Sequence, residues 1–297
     1  MKIRKRQLQL FILLFAASSL LFQLPSGSFA ATPSDISATD SMDDTGSLEL
    51  NGASDVDTFT IGSSTYAIVA GNVDDGVQII DISDPTDITA TDRMENVVGD
   101  SPNLDGARGV DVFTIGSSTY AIVTSFNYDG VQIIDISDPT NIVAKDTVRD
   151  TATGRVTEFD ELNGATDVET FTIGSSTYAI VASQDDDGVQ IIDISDVDNI
   201  VAKDSMDDTG SLELNAARGV ETFIINSVVY AIVTGHDDDG VQMFDLGNCA
   251  SSDCVYTEAA AAASVSGSTS STCARLVILG NCGTIAINND EYQIIHP

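Results

Sequence analysis

Carboxylates are the residues of this chain that could do chemistry. Aspartates gather ahead of a glycine at four places: Asp74 and Asp75, Asp129, Asp185 to Asp187, and Asp237 to Asp239. Clustered carboxylates suit a hard cation, and Ca2+ takes about six to eight oxygen ligands at weak extracellular sites. These loops lack the alternating Asp-x-Asp-x-Asp-Gly pattern of a dedicated calcium loop. The plainer reading is favoured: Asp-Gly makes a tight hairpin, and the remaining aspartates are solvated charge. Ca2+ is thus the one ion the pattern suits, and no cofactor is otherwise implied. A second constellation sets Arg108 and Arg218 beside Asp55 and Asp167, which stand one position further along in alternate copies of a repeat described below. These four are ligand-binding candidates, and paired carboxylates can also do acid–base hydrolysis. Neither His236 nor His296 sits in a nucleophile or zinc motif, and there is no glycine-rich phosphate loop. No catalytic residue is assigned on this reading.

The overall charge limits the partners. Lys and Arg number 12 against 46 acids, for a formal net charge of −34. Of the acids, 37 are Asp and nine Glu. Asp favours turns, where its short side chain bonds nearby amides, so the charge was placed on loops rather than on helical faces. So acidic a surface argues against nucleic acid or an anionic membrane as partner. Cations, basic proteins, a glycan, or plain solubility in salt are left.

A repeat organises these residues. Val56-Asp57-Thr58-Phe59-Thr60-Ile61-Gly62-Ser63-Ser64-Thr65-Tyr66-Ala67-Ile68-Val69 returns almost unchanged from Val110 and Val168, and more diverged from Val220. Gly76-Val77-Gln78-Ile79-Ile80-Asp81 returns from Gly130, Gly188 and Gly240. A short block, Ile88-Thr89-Ala90-Thr91-Asp92 in the first copy, follows three of the four. Each unit thus predicts four short strands rich in β-branched residues, joined by hairpins. Such a meander cannot bury its faces alone, so the units must stack. Radial stacking predicts a four-bladed β-propeller of four-stranded antiparallel blades with strand one on the axis. The repeats fall at about 52–94, 106–149, 164–206 and 216–246. The fourth lacks its last strand, and residues 35–42, which match the block at Asp87, are expected to complete it. In keeping with this, Ser41 to Asn51 recurs identically as Ser205 to Asn215. The propeller places Arg108, Arg218, Asp55 and Asp167 at the channel mouth, ringed by the Asp-rich loops. Asp81, Asp135, Asp193 and Asp245 recur inside apolar strands and are expected to be satisfied structural residues, as are the evenly repeated tyrosines Tyr66, Tyr120, Tyr178 and Tyr230.

The run Tyr-Ala-Ile-Val-Ala followed by Asp-Asp-Gly-Val-Gln-Ile-Ile-Asp-Ile-Ser-Asp-Pro-Thr, at residues 66–86, resembles the LVIVD repeat of bacterial and archaeal extracellular proteins. The resemblance covers residues 35–246 and implies a propeller-like fold without a known biochemical activity. The expected role is therefore a non-enzymatic binding or scaffold module at the cell surface. The alternative is a carboxylate-dependent extracellular hydrolase acting at the channel mouth.

The two ends read differently. Lys2, Arg4, Lys5 and Arg6, the apolar run Leu8 to Phe22, and Ser28-Phe29-Ala30 are expected to form a cleaved signal peptide over 1–30. The mature chain is then expected outside the cell, with no membrane span, as a monomer or a homodimer. Residues 31–248 hold the propeller. Residues 249–297 hold an Ala/Ser/Thr-rich linker and Cys249, Cys254, Cys273 and Cys282. An even count of cysteines in an exported protein suggests two disulfides of open connectivity. The tail is read as a docking element, a partner site or the remnant of another repeat.

Overall fold

The computed structural model describes residues 37–97, 102–150 and 159–248, and the backbone of strands over 275–278, 281–288 and 291–295. The expected signal peptide, the Ala/Ser/Thr-rich stretch and Cys249, Cys254 and Cys273 lie outside the described residues. Two compact units divide between Thr39 and Asp40. Of the first, only residues 37–39 are described, exposed and without regular structure. All that follows concerns the second.

The described residues hold strands and turns and no helix. Unit one contains β1 (Ala53–Ile61), β2 (Ser64–Gly71), β3 (Gly76–Asp81) and β4 (Thr89–Glu95). Unit two contains β5 (Ala107–Ile115), β6 (Ser118–Ser125), β7 (Gly130–Asp135) and β8 (Val143–Arg149). Unit three contains β9 (Ala165–Ile173), β10 (Ser176–Ser183), β11 (Gly188–Asp193) and β12 (Val201–Asp207). Unit four contains β13 (Ala217–Ile225), β14 (Val228–Gly235) and β15 (Gly240–Asn248). A further three-stranded sheet follows, of β16 (Arg275–Ile278), β17 (Asn281–Asn288) and β18 (Glu291–Ile295). Every sheet is an antiparallel meander with its strands in chain order.

Turn chemistry fixes the registers. β1 and β2 close over a two-residue hairpin with Ile61 opposite Ser64, and Gly62 takes φ 65° there. In the Asp-Gly turns it is the aspartate, not the glycine, that turns left-handed: Asp75, Asp129, Asp187 and Asp239 have φ of 58°, 61°, 56° and 54°. Aspartate tolerates that region better than most residues. The glycine after it is needed for space, since a Cβ on Gly76 would lie 2.6 Å from the carbonyl of Met94.

The sheets stand side by side around strands β1, β5, β9 and β13, each of which packs against the next. This is the radial plan of a β-propeller, with strand one of each unit innermost. Three apolar seams hold it. Between units one and two, Ile68, Val77 and Ile79 meet Leu104, Val123 and Ile134. Ile122, Val131 and Ile133 meet Leu162, Val181 and Ile192 in the second seam. Ile180 and Val189 meet Leu214, Val220 and Val233 in the third. Burial of such side chains stabilises each seam by roughly 1.5–3 kcal/mol per large residue. The repeated tyrosines also pack as expected: Tyr66, Tyr120, Tyr178 and Tyr230 stack on Phe59, Phe113, Phe171 and Phe223 with centroids 5.4–5.9 Å apart.

The fourth unit departs from expectation. Its sheet has three strands among the described residues, and residues 40–42 pair with none of them. Asp40 instead accepts the amide hydrogen of Ile88 in unit one at 2.9 Å. The outer face of unit four is uncovered: Val241 is 54% exposed and Met243 46%. Val56, on the facing side of unit one, is 57% exposed, while its counterparts Val110, Val168 and Val220 are buried. The expected closing strand begins at residue 35, and residues 35 and 36 lie outside the described residues.

Candidate functional site

Strand one points alternate side chains at the axis, because side chains in a strand repeat every two residues. Two layers of acidic groups follow. The first layer is the constellation singled out in the sequence. Asp55, Arg108, Asp167 and Arg218 line one cavity of about 430 Å3 with Ser54 and Gln184. Asp55 accepts the amide hydrogen of Val110 in the next unit at 2.8 Å, and Asp167 that of Val220 at 2.9 Å. The residues beneath them in units two and four are Gly109 and Gly219. A Cβ on Gly109 would lie 2.8 Å from the Cα of Asp167, so Asp167 needs glycine beside it in unit two. Burial raises the Asp167 carboxyl to about 6 against the lowering pull of two amide donors. Burial also lowers Arg108, and Arg218 repels it. The Arg108 guanidinium lies over the Phe126 ring at 4.1 Å, a cation–π contact that fixes its direction.

The second layer was not singled out in the sequence. Asp57, Asp111, Glu169 and Glu221 occupy one position of strand one in the four units and line a cavity of about 650 Å3 at the other end of the axis. Asp57 accepts the amide hydrogen of Val112 at 2.8 Å, and Asp111 that of Thr170 at 2.7 Å. Burial pushes the Asp111 carboxyl up to about 7, with Asp57 adding repulsion. Glu169 is pushed up to about 9, first by burial and then by the negative charges of Asp111, Glu221, Asp167 and Asp57. Desolvation and like charge both disfavour the carboxylate. At neutral pH, therefore, Glu169 holds its proton among carboxylates that share the cavity. The signal was legible: each Val-(Asp/Glu)-(Thr/Val)-Phe run carries an acid two residues after the Asp55 position.

The Asp-rich loops hold backbone. Asp74, Asp186 and Asp238 accept the amide hydrogens of Asn51, Asn163 and Asn215 at 2.8, 2.7 and 2.9 Å. The left-handed Asp75, Asp129 and Asp187 reach across the seam to the amides of Gly106, Gly164 and Ala216. Asp185 takes a hydrogen bond from the Gln184 amide group, and Asp237 meets His236 at 2.6 Å. Among the described residues, no group of three or more His, Cys, Asp or Glu gathers as a metal would require. The strand-three aspartates are satisfied too: Asp81, Asp135 and Asp193 accept the amides of Ser83, Ser137 and Ser195.

No family model matches the sequence, and no curated protein matches it. Solved structures do. An exo-β-1,3-galactanase from Phanerochaete chrysosporium is 15% identical over 67% of this chain and 47% of its own, with a TM-score of 0.44. An exo-β-1,3-galactanase from Clostridium thermocellum is 14% identical over 70% of this chain and 51% of its own, with a TM-score of 0.42. A GH43 protein from Bacillus licheniformis is 12% identical over 66% of this chain and 40% of its own, with a TM-score of 0.43. The chain spans about half the length of these structures or less. Such low similarity identifies no substrate. Glycoside hydrolases are prominent among these structures, and BBS1N in complex with ARL6DN is another. The expectation of a non-enzymatic scaffold is set aside on the axial cavity, where four acids gather and the carboxyls of Asp111 and Glu169 are raised unequally.

Proposed function

We propose that the chain is an exported, carboxylate-dependent hydrolase whose reaction takes place in the axial channel, with a glycosidic bond as the substrate class. One observation carries the reading: Glu169 and Asp111 share one cavity, and burial with like charge raises the Glu169 carboxyl further than that of Asp111. A pair of acids driven apart in this way assigns the roles of acid and base. Glu169 gives its proton to the leaving oxygen as the glycosidic bond breaks. Asp111, ionised and fixed by the Thr170 amide, either activates water or attacks the anomeric carbon. Asp57 and Glu221 supply negative charge that favours an oxocarbenium-like transition state. In the other layer Arg108 and Arg218 are donors for substrate hydroxyl or carboxylate groups.

The test is a screen of purified mature protein against a broad glycan panel, alongside Glu169→Gln and Asp111→Asn. Hydrolysis by the parent and a loss of about 10²–10⁴-fold in each variant is the expected result, the range general acid–base groups contribute. Silence across the panel, or variants as active as the parent, would discard the reading.

A further inference from the structure

The four repeat units leave one seam open, and its two faces are apolar. On unit four, Val241 and Met243 stand where Val77, Ile79, Val131, Ile133 and Val189 are buried in the other units. On unit one, Leu50, Ala53 and Val56 are partly or fully exposed, where Leu104, Ala107 and Val110 lie in a core. At the matching positions named in the closed seams the side chains are buried. The hydrogen bonds that cross each seam stop at the same place. Asp55, Asp111 and Asp167 each bond an amide in the following unit. So do Asp92 and Asp146, to Ile142 and Ile200, at 2.8 and 3.0 Å. The Asp40 bond to Ile88 belongs to that last series. Asp40 therefore marks the strand-four position of a sheet that precedes unit one.

The C-terminal strands fit that vacancy. β16–β18 form an antiparallel meander in chain order, as β1–β3 do. Two residues separate β16 from β17, as two separate β1 from β2. The register aligns them further. Gln293 lies opposite Ala286 as Gln78 lies opposite Val69, and each glutamine is followed by Ile-Ile. That glutamine is a mark of the repeat: the Gln78 and Gln132 amide groups bridge their own strand to the carbonyls of strand four. The same register puts Leu276, Ile285, Ile287, Tyr292 and Ile294 at the positions of Phe59, Ile68, Ala70, Val77 and Ile79. Those are the positions that face the next unit in the seam between units one and two.

We infer that β16–β18 dock between unit four and unit one as a fifth sector, with Asp40–Met42 on its outer side. The sector's apolar positions cover Val56, Leu50 and Ala53, and its opposite face covers Val241 and Met243. The ring then closes within one chain, and its last unit is the C-terminal sheet rather than unit four.

The mature full-length protein supplies the test, through Val56→Asp, Ile294→Asp and the double variant. A charge placed on a covered apolar face lowers the thermal midpoint by about 5 °C or more, whereas a solvent-facing change moves it little. Both single variants are expected to fall, and the double variant to fall less than their sum, as contacting residues do. An unchanged midpoint in Val56→Asp leaves the seam open and overturns the inference. A fall in Val56→Asp with none in Ile294→Asp, in a protein that sediments as a dimer, gives the seam to a second copy and also overturns it. Should the variants not fold, hydrogen exchange of the parent decides. Slow exchange across 281–295 is expected, and exchange at unfolded-chain rates there would end the proposal.

Discussion

The Asp111 carboxylate accepts the amide hydrogen of Thr170 at 2.7 Å, one residue along the chain from Glu169. This bond ties the acid of one unit to the strand that carries the acid of the next. The two groups the proposed reaction relies on are thus held in relation by backbone, not by flexible side chains. Four consequences of this and neighbouring features can be measured.

Activity should have a narrow pH range. Glu169 must be protonated, which holds below about 9, and Asp111 ionised, which holds above about 7. A bell-shaped profile of kcat/KM with its limbs near these two values is expected. Glu169→Gln should lower turnover by the same roughly 10²–10⁴-fold and remove the alkaline limb. A profile with its maximum at pH 4 to 5 would contradict the assignment.

Stability should fall as the solution becomes more alkaline. Glu161, Glu169 and Asp111 have carboxyls raised to about 8, 9 and 7 in the fold. Their stabilising effect is complete below the unfolded values near 4, and is lost as pH rises through the folded values. Hydrogen bonds from serine and threonine lower Asp81, Asp84 and Asp138, so these contribute in the opposite sense and only in acid. The thermal midpoint should therefore be highest near pH 5 and lower at pH 9. Glu169→Gln should flatten the alkaline decline, and an unchanged slope would refute its cause.

Salt should stabilise the protein. A formal charge of −34 is carried largely on loops, and the Debye length drops from about 10 Å at 0.1 M to about 3 Å at 1 M. The midpoint should climb steadily from 0.05 to 1 M NaCl. Ca2+ compared with NaCl at equal ionic strength separates screening from coordination. An equal shift is expected from loops whose aspartates already hold amides, and a much larger one at low millimolar Ca2+ would mean a bound ion.

The cross-seam aspartates should behave differently from surface charge. Asp187 combines φ 56° with a 2.7 Å bond to the Ala216 amide. Asp187→Gly removes the bond but suits the left-handed turn, and should cost about 1 kcal/mol. Asp187→Ala loses both and should cost about 2 kcal/mol. Urea unfolding of the two variants measures the difference; alanine no worse than glycine would remove the backbone argument.

Much of this was visible in the residues. The β-branched runs and Gly-Ser-Ser turns predicted the meanders, and the spacing of Arg108, Asp167, Arg218 and Asp55 predicted one shared site, which the structure brings together. The acids at 57, 111, 169 and 221 do not stand out in the sequence, since one recurs at the same place in every unit. Their asymmetry is not in the sequence alone: it comes from unequal burial of Asp and Glu around one axis. The aspartate clusters look like ion ligands in the sequence; in the structure Asp74, Asp75, Asp129, Asp186, Asp187 and Asp238 each accept a backbone amide of the same or the following unit. Pairing of the N-terminal segment with unit four was drawn from a shared motif, which specifies a type of neighbour but not which copy supplies it.

The carboxylate-to-amide bonds across the seams all run in one direction, from a unit to its successor. A unit therefore brings acceptors for the one after it and donors for the one before. Duplicating a unit in the gene would add a copy whose two junctions are already matched. Residues 41–51 and 205–215 are identical, so the same stretch of chain leads into units one and four. An architecture of this kind evolves by changing how many units it has before it changes what they are made of.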